Sequence, residues 1–126
     1  MDNSQKHREP SPVFSELGTP VVKFKTTSPS QYVRVYTNGT TRPAGKWIMK
    51  RTDIQGLSAT QIREKFALPH TPTHYCDVTV PVGTELYTGY AGPQKFNGIT
   101  YSGGGIQYEI VGTIPEYCFN GHYDLP

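Results

Sequence analysis

An amide and a carboxylate, Gln107 and Glu109, stand two residues apart just after three consecutive glycines, Gly103, Gly104 and Gly105. Side chains alternate along a β-strand, so both polar side chains are expected on one face. The opposite face is expected to belong to the core through Ile106, Tyr108 and Ile110. Glycines at positive φ let a ligand approach the backbone, and their N–H groups can form an anion-binding nest. The pattern is compatible with a ligand site, but by itself it favours a flexible hairpin followed by an edge strand with a solvated face.

A second candidate strand places Arg34 between Tyr32 and Tyr36, with Val33 and Val35 expected to face the core. A guanidinium group presents paired donors that match phosphate oxygens. The flanking rings offer planes against which a base or a nicotinamide ring can stack. A surface arginine on a half-exposed strand is the alternative. If both strands line one cleft, the cleft suits a phosphate-bearing ligand with an aromatic ring.

Short alternating segments separated by Pro, Gly and Asn predict about six strands around these residues. The segments are 21–25, 32–36, 46–50, 74–80, 85–90 and 105–111. One helix is expected from Ser58 to Phe66, because Ser58 and Gln61 have the spacing of a capping box. Leu57 and Ile62 have the spacing of a hydrophobic staple, and Pro69 is expected to end the helix. We therefore expect an α+β fold, a small twisted mixed or antiparallel β domain with one helix packed across it.

Length and charge limit the classes of function. The 126 residues suit a single domain, with residues 1–19 as a flexible lead-in and residues 20–126 as one catalytic domain. The net charge of +2 is too small and dispersed to predict binding of duplex nucleic acid. No apolar run approaches the roughly 20 residues that cross a bilayer, and the first residues lack the apolar region of a signal peptide. We expect no membrane partner.

The two cysteines, Cys76 and Cys118, allow one intramolecular disulfide or two buried thiols, and the sequence leaves both open. Cys76 shares an inward alternation with Val78 and Val80, which favours a structural role over a nucleophilic one.

An arginine on an early aromatic-rich strand and a late Gln-x-Glu strand resemble the ADP-ribosyltransferase superfamily. The run Gly-Gly-Gly-Ile-Gln-Tyr, residues 103–108, resembles the end of the tuberculosis necrotizing toxin-like NAD glycohydrolase domains. Gly45-Lys46-Trp47, the segment 66–69 and the strand and turn 75–83 follow in the order of landmarks in that family. Domains of this kind also stand at the C-termini of bacterial polymorphic toxins. The resemblance spans about residues 32–112.

The resemblance implies an ADP-ribosyltransferase-like fold and an enzyme that cleaves the nicotinamide–ribose bond of NAD, its substrate, without a metal or cofactor. A glycohydrolase would use Gln107 as its catalytic glutamine, whereas a transferase would use Glu109 as its catalytic glutamate, with Gln107 helping to choose the acceptor. Arg34 would hold the pyrophosphate in either enzyme. The resemblance also implies substrate contacts at Tyr32, Tyr36, Trp47, Lys65, Phe66, Gly103, Gly104 and Gly105.

Two departures from the family patterns stand out. The Ser-Thr-Ser strand of many transferases is absent, and Lys65-Phe66 stands where the glycohydrolases tend to carry an arginine before the Leu-Pro pair. The second phosphate contact therefore has no assigned residue.

The resemblance further implies a chain secreted or delivered as the C-terminal part of a larger effector. Such a toxin would act in the cytosol of a target cell, and a cognate immunity protein would block its cleft.

Other functions are compatible with the sequence. The enzyme could be a mono-ADP-ribosyltransferase acting on a protein. His70 and His74, with Lys65 or Arg63, could instead serve as acid and base in a metal-independent RNase toxin. Pro72 between the histidines prevents the helical geometry that would aim both at one metal ion. A non-catalytic binding module that presents its tyrosines and glycine loops to a partner is the remaining alternative.

Overall fold

Nine β-strands and one α-helix make up the part of the chain that the computed structural model describes, residues 21–126. The predicted lead-in over residues 1–19 lies outside the described residues. The strands are β1 (Val22–Lys25), β2 (Ser30–Tyr36), β3 (Trp47–Ile48), β4 (His74–Val80), β5 (Glu85–Tyr90), β6 (Gln94–Phe96), β7 (Ile99–Tyr101), β8 (Ile106–Ile110) and β9 (Phe119–Asp124). The helix α1 spans Ala59–Phe66, and 3-10 turns lie at Arg51–Asp53 and Glu116–Cys118.

The strands form three antiparallel sheets. One sheet has the order β1-β5-β8-β3, a second has the order β2-β4-β9, and β6 and β7 form a separate hairpin. The two larger sheets meet where the Val33 and Met49 backbones exchange hydrogen bonds of 2.8 and 2.9 Å. This arrangement is a small α+β domain, as the sequence predicted.

The two faces of β2 are both buried, each in a different hydrophobic core. Tyr32 and Tyr36 pack in a core between the two larger sheets, together with residues such as Val78 and Leu86. The valines of β2 pack in a second core, which α1 covers with Ile62 and Phe66. The predicted alternation of β2 is therefore present, but the tyrosine face is a core face as well.

The predicted capping box of α1 is confirmed. The Gln61 backbone N–H donates to the Ser58 Oγ at 3.2 Å, and the Ser58 N–H donates to the Gln61 side chain at 2.8 Å. The helix ends at Phe66, as predicted, but Pro69 is not the residue that stops it. Ala67 adopts a left-handed conformation with φ of 50° and closes the helix by donating to carbonyls of the last turn, so Pro69 lies beyond the stop.

The sequence patterns missed the β6–β7 hairpin and the strand β9. Asn97 and Gly98 turn the hairpin with φ of 51° and 79°, the conformation for which Asn-Gly is the preferred pair. The β9 segment is polar and contains a glycine, and it is a strand because it pairs with β4. The six predicted strands all exist, with ends that differ by up to two residues.

The polar face of β8 is buried, contrary to the expectation that its apolar face alone would belong to the core. Gln107 and Glu109 are 4% and 0% exposed, whereas Ile106, expected in the core, is 38% exposed. This face is covered because the end of α1 contacts Gln107 and Lys46 pairs with Glu109. Ile110 still packs in the first core.

In residues 21–126 the helix is too short to cross a membrane.

Candidate functional site

A cavity of about 390 Å³ lies between β2, the end of α1 and the β6–β7 hairpin. This volume falls within the range of small-molecule sites. The residues that line it are Arg34, Val35, Tyr36, Thr37, Thr41, Trp47, Met49, Phe66, Ala67, Leu68, Pro69, His70, Pro72, Gln94, Phe96 and Gln107. Most of these side chains are apolar or aromatic, and Arg34 and Gln107 place a cation and a buried amide among them.

Gln107 reaches the cavity from β8 and contacts the end of α1. Its Nε2 donates to the Phe66 carbonyl at 3.4 Å, a long hydrogen bond. Its Oε1 is buried and finds no hydrogen-bond donor among residues 21–126. Native proteins satisfy nearly all buried polar atoms, and an exception calls for an explanation such as a ligand or a catalytic role. The open acceptor makes Gln107 the strongest candidate for contact with a ligand.

Glu109 shares a strand face with Gln107 but does not line the cavity. It is 0% exposed, and its Oε2 lies 3.1 Å from the Lys46 ammonium. It stands opposite Trp47 in the β3–β8 register. An i, i+2 pair is separated by about 7 Å along a strand, so sharing a face does not bring both side chains to one ligand atom. The structure thus joins Glu109 to the segment that leads into β3.

Arg34 lines the cavity, and it also holds the segment 42–47 in place. Its Nε donates to the Pro43 carbonyl at 2.9 Å, and its two terminal nitrogens donate to the carbonyls of Trp47 and Arg42, each at 3.1 Å. Burial lowers the pKa of this guanidinium, but arginine stays charged in proteins. A guanidinium has five N–H donors, so three bonds to carbonyls leave two for a ligand.

Gly45 allows Arg34 to take this position. A Cβ at residue 45 would lie 2.5 Å from the Arg34 Cζ, so the guanidinium stacks directly over the glycine backbone. The Gly-Lys-Trp landmark therefore has a physical basis in three parts. The glycine admits Arg34, the lysine pairs with Glu109, and the tryptophan lines the cavity.

The predicted aromatic contacts divide into two groups. Tyr36, Trp47 and Phe66 line the cavity. Tyr36 is fixed by a 2.9 Å hydrogen bond between its hydroxyl and the His122 Nδ1. Tyr32 does not reach the cavity, because its ring packs edge-on against Tyr108 at 4.8 Å in the first core. Burial and the neighbouring Tyr108 raise the pKa of Tyr32 to about 12, so its hydroxyl stays neutral.

None of the three glycines lines the cavity, and two of them, Gly103 and Gly105, bond to the end of α1. The N–H groups of Gly103 and Gly105 donate to the carbonyls of Glu64 and Lys65 at 3.0 and 2.9 Å, and the Gly104 N–H donates to Ala91 at 2.8 Å. These bonds use the donors that an anion-binding nest would need. A Cβ at residue 105 would lie 2.8 Å from the Phe66 ring, so the glycine is required for close packing against the helix. The glycine run thereby positions Phe66, whose carbonyl contacts Gln107.

Of the remaining predicted residues, Lys65, His70 and His74, His70 lines the cavity and the other two do not. Lys65 donates to the Asp53 carbonyl at 2.7 Å and does not line the cavity. His70 lines the cavity, whereas the His74 Nε2 lies 2.8 Å from an Asp124 carboxylate oxygen on the β9 strand. The structure therefore brings one of the two histidines to the cavity. Residues 21–126 contain no cluster of three or more His, Cys, Asp or Glu side chains suited to a metal ion.

Cys76 and Cys118 are both buried and carry free thiols in this structure. Burial is the main cause that raises the pKa of Cys76 to about 11, which keeps the thiol protonated and unreactive at neutral pH.

Sequence reasoning missed the contribution of the hairpin to the cavity. Gln94 and Phe96 line it from β6, and the Asn97-Gly98 pair between two alternating runs was the signal that could have located this hairpin.

Comparison with known proteins adds one result on the fold. Neither a protein-family profile nor a curated protein sequence matches the chain. A solved structure described as Tne2 in complex with Tni2 matches with a TM-score of 0.67 and 19% sequence identity. The match covers 87% of this chain and 96% of that chain. At this identity the likeness shows that the two chains share a fold.

Proposed function

We propose that this domain cleaves the nicotinamide–ribose bond of NAD by hydrolysis, as a toxin with an ADP-ribosyltransferase-like fold. The observation that carries the proposal is Gln107, a side chain that lines the cavity and whose buried Oε1 lacks a donor among residues 21–126. A ribose hydroxyl would supply the missing hydrogen bond. The sequence resemblance independently assigns Gln107 the role of the catalytic glutamine.

The chemistry suits the groups that line the cavity. The bond between the ribose carbon and the nicotinamide nitrogen breaks, and nicotinamide leaves with the electron pair. Positive charge develops on the ribose, as in glycoside cleavage. The Gln107 carbonyl dipole offsets this charge and orients the ribose. Water then adds its oxygen to the ribose carbon and releases a proton to solvent, so the products are ADP-ribose and nicotinamide.

Arg34 would bind the NAD pyrophosphate through the two N–H donors that segment 42–47 does not use. The aromatic side chains of the cavity would enclose the rest of the substrate and exclude water from the leaving group.

Hydrolysis is favoured over transfer to a protein because of Glu109. A transferase would rely on this carboxylate beneath the ribose, but Glu109 is paired with Lys46 and does not line the cavity. Gln107 is the polar side chain of β8 that the ligand would meet.

The test is incubation of the purified chain with NAD and a chelator, with separation of the products. Free ADP-ribose and nicotinamide are expected, and label transferred to protein would indicate the transferase. Gln107→Ala should be inactive, whereas Gln31→Ala, an exposed glutamine paired with Thr79, serves as the matched control. Intact NAD together with RNA cleavage that depends on His70 would contradict the proposal, and no reaction at all would favour a binding module.

We also propose that a toxin of this kind is delivered as the C-terminal part of a larger effector and acts in the target cytosol. A cognate immunity protein would then cover the cavity, and Tne2 has likewise been solved with a second protein, Tni2. Expression in the bacterial cytosol should arrest growth with the intact chain and be harmless with Gln107→Ala. Normal growth in cells that contain active enzyme would contradict the toxin role.

A further inference from the structure

The β6–β7 hairpin presents an aromatic ring and an amide to the cavity. Gln94 and Phe96 are two residues apart on β6 and both line the cavity, while Lys95 between them is exposed on the other face. The hairpin forms its own two-stranded sheet and shares no strand pairing with the larger sheets. Phe96 and Gln94 are therefore the side chains with which this separate unit contacts the contents of the cavity.

A chain of contacts fixes the hairpin against α1. Phe96 contacts the Tyr101 ring with a centroid separation of 6.1 Å, and the Arg63 guanidinium lies 4.2 Å from the centre of the Tyr101 ring. The Ser102 N–H, which directly follows β7, donates to a Glu64 carboxylate oxygen at 2.6 Å. These contacts hold Phe96 in place before any ligand binds.

Arg63 also fixes another part of the cavity lining. Its Nε donates to the Leu68 carbonyl at 3.0 Å, and a terminal nitrogen donates to the Pro69 carbonyl at 2.8 Å. Leu68 and Pro69 line the cavity. One guanidinium thus sets the positions of the hairpin and of the segment after α1, and so fixes the opening between them.

The groups on the hairpin suit a planar ring better than a phosphate. An aromatic side chain stacks on the face of a heteroaromatic ring. A glutamine amide offers a donor and an acceptor to polar groups at the ring edge. Lys95 is the charged residue between Gln94 and Phe96. It is exposed and does not line the cavity, so it is not placed to bind a phosphate there.

We propose that the hairpin is the ring-recognition element of the cavity: Phe96 stacks on a heteroaromatic ring of the substrate, and Gln94 hydrogen-bonds its amide or amino group. The inference deepens the proposed function, since NAD carries two such rings, nicotinamide and adenine. Both nicotinamide and adenine are planar rings that carry a polar nitrogen substituent.

The test uses the fluorescence of Trp47, the single tryptophan of the chain, which lies in the cavity lining. Nicotinamide and ADP-ribose are titrated separately, because neither can be cleaved further at the nicotinamide bond and each carries one of the two rings. Phe96→Leu should weaken binding of one of them on the order of 10-fold or more. Phe96→Tyr should retain binding because it keeps the ring, and Lys95→Ala should bind as the unmodified chain does.

Gln94→Leu separates the amide from the ring. It should weaken the same ligand as Phe96→Leu and should raise KM for NAD more than it lowers kcat. Thermal unfolding of each variant, followed by circular dichroism, establishes that the fold is intact.

The outcomes separate the inference from the proposed function. If a product binds the unmodified chain and Phe96→Leu binds it equally well, the hairpin assignment is wrong while NAD cleavage stands. If NAD is not cleaved but guanosine or uridine monophosphate binds in a Phe96-dependent manner, the hairpin assignment stands and the proposed function is wrong. If NAD is not cleaved and none of these ligands changes Trp47 emission or binds by calorimetry, both are wrong.

Discussion

The Gln107 amide bonds to the Phe66 carbonyl through Nε2 at 3.4 Å, and its Oε1 is left buried without a donor among residues 21–126. The contact joins the strand β8 to the last residue of α1. A folded chain keeps such an unsatisfied atom at a cost in stability, which is typical of functional sites.

Gln107→Leu should therefore separate activity from stability. We expect NAD cleavage to fall by about 100-fold or more, because the variant loses the carbonyl proposed to stabilise the ribose charge. The free energy of unfolding should fall by less than about 1 kcal/mol, or rise, since an apolar side chain removes an unsatisfied buried acceptor. Urea denaturation and NAD turnover measure the two quantities. Near-normal turnover in this variant would show that the active site lies elsewhere.

Arg34→Lys should raise KM for NAD by about 10-fold or more while keeping the positive charge. A lysine cannot reproduce the fork that reaches three carbonyls of segment 42–47 and a ligand at once. Trp47 emission should shift, because that segment carries Trp47 into the cavity. Gly45→Ala should produce a similar shift, since its Cβ would meet the Arg34 guanidinium. Unchanged KM in Arg34→Lys would exclude a forked contact with the pyrophosphate.

Lys46→Met should destabilise the fold more than Glu109→Gln does. Lys46→Met leaves the buried Glu109 carboxylate without its ion pair, whereas Glu109→Gln removes the buried charge itself. Because Lys46 is 43% exposed, we expect a loss of about 2 kcal/mol for Lys46→Met, below the values for fully buried pairs. Glu109→Gln should keep most of its turnover. A folded Glu109→Gln variant without activity would instead favour the transferase chemistry.

The contact between Glu64 and Ser102 should make stability depend on pH. Hydrogen bonds from the Ser102 backbone, and then from its side chain, lower the pKa of Glu64 below its ordinary value of 4.5. The folded pKa is below the unfolded one, so the contribution is complete above the unfolded value and is lost as pH falls through the folded value. Glu64→Gln should show a weaker loss of stability between about pH 5 and pH 3. Urea denaturation at each pH measures the free energy of unfolding. An equal fall in this free energy at acid pH in the unmodified chain and in Glu64→Gln would contradict this role.

Local features of the fold followed from the sequence because they depend on neighbours in the chain. The capping box of Ser58 and Gln61 uses hydrogen bonds within one turn, and the alternation of β4 and β5 reports burial along one strand. The sequence also paired Arg34 with Gln107 as lining of one cleft, and both residues line the cavity.

Tertiary structure decided the features that depend on which surfaces are covered. Alternation shows that Gln107 and Glu109 share a face, but it cannot show that the face is buried, because burial comes from α1 and Lys46, which are distant in sequence. The glycine run looked like a ligand loop, and only its bonds to Glu64, Lys65 and Ala91 show that it supports a helix end. Phe96 entered the cavity through a hairpin that contacts α1 by side chains, and such long-range contacts leave no local pattern in the sequence.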